Sequence, residues 1–225
     1  MTAPLSHLTY TRIQEQPASR RASVPTVITL HAYRQRGSSL ADHARAAAPD
    51  GRLLGLESYK GVFVGREVVG SMWFAGPDSA PAPVFFGDAL GEIERFLWDE
   101  IDRQDAEAPV LPFLLGVGQG AIMALAAAAA VPDLLSGVIA IDGSFPIVPG
   151  WEPPLAPLAG LPILLIDEAE PAPEVPGVLT GDALMATLAA WGGDATRHTA
   201  PGEAIPADLM RDWLADQPIR TRPAR

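Results

Sequence analysis

Residues 110–130 constrain the fold more than any other stretch of the chain. Residues 110–115 (VLPFLL) are continuously apolar and too short for a helix, the pattern of a strand buried on both faces. Glycine then recurs at Gly116, Gly118 and Gly120, and residues 120–130 (GAIMALAAAAA) continue as an alanine-rich apolar helix. A strand that turns into a helix through such a run of glycines needs a backbone free of side chains at the turn. A helix this poor in polar residues has no face to offer water, so other elements must enclose it.

The same alternation runs through the rest of the chain. Residues 8–13 alternate and suit an opening antiparallel strand, and residues 16–23 form a polar turn region. Residues 25–30, 51–56, 136–141, 161–166 and 195–199 are predicted strands. Helices are predicted over 40–48, with Ser38 and Ser39 offering an N-cap, and over 182–191 and 205–214, the last with a proline at its start. Residues 88–102 place Leu90, Ile93, Phe96, Leu97 and Ile101 at helical spacing, with acidic residues on the other face. Residues 57–83 have no clear period and are expected to be a long functional loop. The fold class is therefore α/β, a mostly parallel sheet with helices on both faces, in one domain with flexible ends at 1–7 and 217–225. Ligands of such sheets bind at the carboxyl ends of the strands, so loops starting at His31, Glu57, Gly116, Asp142, Asp167 and Pro201 should share one rim. The proline-rich pieces 80–83, 146–157 and 171–176 are expected to be rim loops as well.

Composition narrows the function classes. A length of 225 residues suits one large core. A formal net charge of −11 argues against nucleic acid, which demands a basic surface. Arg220, Arg222 and Arg225 are the only locally basic stretch and are expected to be a solvated end. The absence of cysteine excludes disulfides, thiolate-bound zinc and a cysteine nucleophile. The longest apolar run, 121–131, is too short to cross a bilayer, and no signal peptide is visible at the N-terminus, so no membrane association and a cytoplasmic location are expected. No metal-ligand motif and no cofactor motif is present.

A strand, a tight glycine turn and a helix form the context of the nucleophile elbow, G-x-S-x-G, in which a strained turn presents a serine. Here the central position is Gly118, which has no side chain. The chain resembles the phospholipase/carboxylesterase family of α/β-hydrolases over roughly residues 8–216. LHAY (30–33) resembles that family's L-H-G-x, SMWF (71–74) its W-[FY] loop, and GVGQGAIMAL (116–125) its G-F-S-Q-G-G-A-M-A-L. IDGSFP (141–146) resembles L-S-G-x-x-P, residues 161–176 resemble the segment with the catalytic aspartate, and PGEAIPADLMRDWL (201–214) resembles G-H-x-I-P with the catalytic histidine. Carried over residue by residue, the triad is absent. The serine is Gly118, the aspartate is Glu170, the histidine is Glu203, and the glycine of the oxyanion loop is Ala32; a shift of three or four residues would put Asp167 or Glu174 at the acid position. Without an imidazole beside a hydroxyl, Ser-His chemistry is unavailable.

What the resemblance leaves is a set of candidates. The amide of Gln119, joined by one from the 31–34 loop around Ala32 and Tyr33, can polarise a carbonyl, or the glycines serve only the turn. Glu170 and Glu203 would stand within one hydrogen bond of each other, and such a pair, with Asp142 nearby, can share a proton and work as acid and base. The alternative is that these acids sit on a solvated rim, paired with Arg66, Arg197 or water, or hold a cation. His31 is expected to be a satisfied rim histidine; His198 lies five residues before Glu203 and is not expected to reach the site, and His7 and His43 receive no role. Lys60, the only lysine, lies in the loop expected to cover the pocket, either solvated or desolvated and reactive. Tyr59, Phe63, Trp73 and Phe74 are expected to form an apolar pocket wall or a dimer face, and Trp98 to be core. Three readings stay open: a pseudo-hydrolase that binds a small apolar or acyl-like ligand or a protein partner, an enzyme using the Glu170/Glu203 pair with the oxyanion amides, and an interaction module. The resemblance also implies a homodimer.

Overall fold

The computed structural model describes residues 8–21, 23–104, 106, 108–168, 176–200 and 205–222. Along the chain the elements are β1 (Thr9–Gln14), α1 (Ala18–Arg21), β2 (Thr26–Leu30), α2 (Ala41–Ala47), β3 (Arg52–Glu57), β4 (Gly61–Val64), β5 (Glu67–Ser71), α3 (Pro83–Asp102), β6 (Phe113–Val117), α4 (Gln119–Ala130), β7 (Gly137–Ile141), β8 (Phe145–Pro146), β9 (Pro162–Glu168), β10 (Val178–Leu179), α5 (Gly181–Ala190), β11 (Asp194–Ala200) and α6 (Ala207–Asp216). Seven strands form the central sheet in the order β1-β3-β2-β6-β7-β9-β11. β1 pairs antiparallel with β3, and the other neighbours pair parallel. The order reverses between β2 and β6, so the crevice at their carboxyl ends is the topological switch point.

Both faces of the sheet are covered, as continuous apolar strands require. Ile28, Leu30, Leu114, Val138 and Leu165 point to the layer of α3, α4 and α5. Val27, Phe113, Leu115, Ile139 and Ile166 point the other way, to α2 and α6. Helix α4 is buried from Gln119 to Ala129, the enclosure its composition demands. No helix among the described residues is long and apolar enough to cross a membrane.

The structure departs from the sequence expectations in several places. β6 begins at Phe113 rather than at 110, because Pro112 has no N–H to give the ladder. Residues 57–83 are not a structureless loop: β4 and β5 form an antiparallel hairpin with a register shift at Val62/Phe63. Helix α3 begins five residues earlier than expected, at Pro83, whose ring suits the first helical turn. Its acidic residues do not all face water. Glu100 is buried in an ion pair with Arg52 of β3, and Glu92 is buried against Arg95. Ser38 and Ser39 do not cap α2; Leu40 holds that position, and Ser39 Oγ instead accepts from Arg36 N at 3.0 Å. Pro206 is the N-cap of α6 rather than its first helical residue.

Residues 220–222 are also held. Leu111 N donates to Arg220 O and Arg222 N to Pro109 O, both at 2.9 Å, so residues 220–222 run antiparallel to 109–111. The Arg222 guanidinium lies 4.0 Å from the Trp98 ring centroid, a cation–π contact on a half-buried indole.

Candidate functional site

The site is built on the step from β6 into α4. Gly118 stands at φ +53 and ψ −118 between the strand and the helix, a conformation that disfavours any side chain. Its neighbours are glycine for a different reason. A Cβ at Gly120 would lie 2.0 Å from Leu30 O, and one at Gly116 would lie 2.3 Å from Gly120 O. The start of α4 is thus pressed against the end of β2 with no room for a methyl group. At Gly118 the space is open, since a Cβ there would meet only Ala32 Cβ at 3.7 Å. The turn is locked by Gly118 N donating to Ile141 O and Ile122 N donating to Gly118 O, each at 3.0 Å.

Two backbone amides near this turn are open among the described residues. The N–H of Gln119 opens α4 and meets no acceptor among the described residues. In the facing loop, Ala32 N donates to Gln35 Oε1 at 3.3 Å and Arg34 N to Ser71 O at 2.9 Å. Tyr33 N is left without an acceptor among the described residues, so Tyr33, not Ala32, supplies the second open amide. The positive end of the α4 dipole adds to both.

The side chain of Gln119 does not face the site. It is buried, its Oε1 accepting from Trp73 N at 3.2 Å and its Nε2 donating to Phe74 O at 3.4 Å and Asp78 Oδ1 at 3.2 Å. Trp73 and Phe74, expected as a pocket wall, are fully buried and offer no surface to a ligand. Trp73 Nε1 donates to His31 O at 2.8 Å, so both aromatics brace the rim from behind. Tyr33, Tyr59 and Phe63 are exposed on that rim.

His31 is satisfied in place. Nδ1 lies 2.8 Å from Ala32 O, which can only accept, so Nδ1 carries the hydrogen and Nε2 accepts from Ser58 N at 3.3 Å. The ring stacks on Trp73 at 4.9 Å. Burial, the largest influence, pushes its pKa down, and the bond to Ala32 O opposes this. Lys60 is not solvated; it is buried, with Nζ 2.8 Å from Asp88 Oδ2 of α3.

Asp142 ends β7 next to the elbow, exposed, at φ +49, with its N–H donating to Ile166 O at 2.9 Å. Glu170, Glu174 and Glu203 lie outside the described residues. Arg197, considered as their partner, is engaged by Asp167 of β9 and by Asp182 at 2.8 Å, and the Asp167 hydrogen bond raises its pKa. Arg66 is exposed in the hairpin turn. No cluster of three or more metal-ligating side chains occurs among the described residues. Sequence reasoning missed Asp78, Asp88 and Gln35. The first sits in a Pro-Asp-Ser turn signal, whereas nothing local marks the other two, whose partners are distant or backbone groups.

A mostly parallel sheet wrapped on both faces, with a tight glycine turn at its switch point, is the α/β-hydrolase fold. Solved structures share it. A carboxylesterase from Mesorhizobium loti superposes with a TM-score of 0.71 at 19% identity, covering 88% of this chain and 92% of that one. The Bacillus cereus carboxylesterase gives 0.68 at 16% identity, covering 93% of each chain. Esterase PE8 gives 0.64 at 23% identity, covering 94% and 96%. No protein-family model matches the chain, and no curated protein matches it significantly.

Two predictions follow the geometry. Gly118→Ala lowers stability by about 1–2 kcal/mol through its positive φ, whereas Gly120→Ala must part α4 from β2 and costs ~3 kcal/mol or more; urea unfolding midpoints compare them, and equal losses would contradict the packing argument. His31, held neutral with a lowered pKa, contributes stability that is complete above its unfolded pKa of about 6.5 and declines as pH falls from there toward the folded value. His31→Gln therefore has a flatter Tm profile between pH 7.5 and 5 than the wild type, measured by thermal melts.

Proposed function

We propose that the protein is a carboxylesterase-like α/β-hydrolase-fold protein that binds without hydrolysing, holding a small acyl-like ligand by its carbonyl at the amides of Tyr33 and Gln119. The observation that carries this reading is position 118. The turn keeps the strained elbow geometry, with room for a Cβ, yet presents no nucleophile. No histidine among the described residues can serve as its base. His31 gives both ring nitrogens to the backbone. His198 is on β11, three strands from β6 and so roughly 14 Å across the sheet. His43 is on α2, in the layer opposite α4. An elbow that retains its donors but not its reacting pair favours binding of a polarised carbonyl over acyl transfer.

Hydrolysis of short and medium p-nitrophenyl esters across pH 4 to 9 is expected to stay at the buffer rate for both the wild type and Glu203→Gln. Titration with octanamide is expected to shift the backbone amide resonances of Tyr33 and Gln119. Wild-type turnover that collapses in Glu203→Gln would replace this reading with a carboxylate-based catalyst. Absence of any shift at the two amides would remove the carbonyl-binding role.

A further inference from the structure

Lys60 is the one lysine of the chain, and its side chain is only 6% exposed although it sits at the base of a surface hairpin. Its ammonium lies 2.8 Å from Asp88 Oδ2 and 4.3 Å from the centroid of the Tyr59 ring. Asp88 is its one ion-pair partner among the described residues. Tyr59 Oη donates to the same carboxylate. That bond, the largest influence, pushes the phenol up to about 12, while Lys60 first and Tyr59 second hold Asp88 below the usual carboxylate range. Asp88 of α3 thus ties down residues 59–60, which lead into β4.

The fixed segment is the root of the β4–β5 hairpin. Met72 N donates to Lys60 O at 2.9 Å and closes that root. Above it the hairpin carries Phe63, 64% exposed, with Val64 and Val68 also exposed, so little of its own packing holds it down. At its other strand the hairpin bears on the loop beside the elbow. Ser71 pairs with Gln35, and Gly70 lies so close to Arg34 that a Cβ would stand 2.0 Å from Arg34 O. That loop supplies Ala32, the neighbour of position 118, and the open amide of Tyr33.

We propose that the Lys60–Asp88 pair is a latch: engaged, it holds the hairpin and through it the 32–36 loop against the elbow; released, it lets both move away and opens the site. The physical drive is the ammonium itself. Deprived of Asp88, a buried lysine either gives up its proton or carries its charge to water, and the latch is the second course, in which residues 59–61 and the hairpin root are drawn outward. Removing the charge together with its partner abolishes that drive. The latch operates whether the elbow binds or catalyses.

The test follows amide hydrogen exchange in Asp88→Asn and in the double variant Lys60→Met/Asp88→Asn. The expected result is at least tenfold faster exchange for residues 61–71 in Asp88→Asn, unchanged exchange in β6 and β7, and recovery in the double variant. Hairpin exchange that does not change, that rises together with the central strands, or that fails to recover overturns the proposal. A second readout uses the cysteine-free sequence: Gly118→Cys places a sole thiol at the elbow, and its alkylation by iodoacetamide is expected to be at least fivefold faster when Asp88→Asn is added. Equal alkylation rates also overturn it.

Discussion

The contact between the first turn of α4 and the last residue of β2 sets the spacing on which the other features of the rim depend. Gly120 lets the helix backbone touch Leu30 O, and Gly116 lets the strand pass beneath Gly120. That closeness sets the start of α4 beside residues 30–32, with position 118 at a positive φ. It also sets where Gln119 points: inward, to tie Trp73, Phe74 and Asp78 to the elbow. The flanking glycines are steric necessities of the scaffold, whereas the central one is required only by its backbone conformation. A side chain at position 118 would therefore change the chemistry of the turn more than its packing.

A second layer of contacts converts this spacing into a rim. The end of β3 and the residues after it reach four neighbours in turn. Glu57 holds the 34–37 loop through Arg36 and the amide of Gly37, and Ser58 N holds the His31 ring. Tyr59 and Lys60 hold α3 through Asp88. His31 is a brace between strand ends, consistent with its neutral, buried state. These polar residues thus serve position and order, and among the described residues the amides of Tyr33 and Gln119 are left open.

Much of the scaffold is legible in the sequence because its signals are local. The apolar runs of β2, β7 and β9 need burial on both faces, and the glycines of 116–120 mark the elbow. What was hidden has a physical cause in each case. Pro112 moves the start of β6 because it cannot donate to the ladder. The β4–β5 hairpin is obscured by a bulge at Val62/Phe63 and by apolar side chains that face water, which erase the alternation. Glu92 and Glu100 look like a solvated helix face until Arg95 and Arg52 are seen to pair with them. Trp73 and Phe74 look like a pocket wall because aromatic residues in a loop give no sign of which side they bury. Asp88 and Asp78 have partners 28 and 41 positions away, a separation no local pattern encodes. The carboxylates Glu170 and Glu203 rest on the family resemblance alone.

The proposed binding role requires that the elbow present no activated nucleophile. Incubation of the protein with a fluorophosphonate, followed by intact mass measurement, tests this most directly, because such reagents phosphonylate an activated hydroxyl irrespective of substrate preference. The account predicts an unchanged mass for the wild type under conditions that label an active serine esterase completely. A single stoichiometric phosphonyl adduct on any side chain bordering the elbow would contradict it.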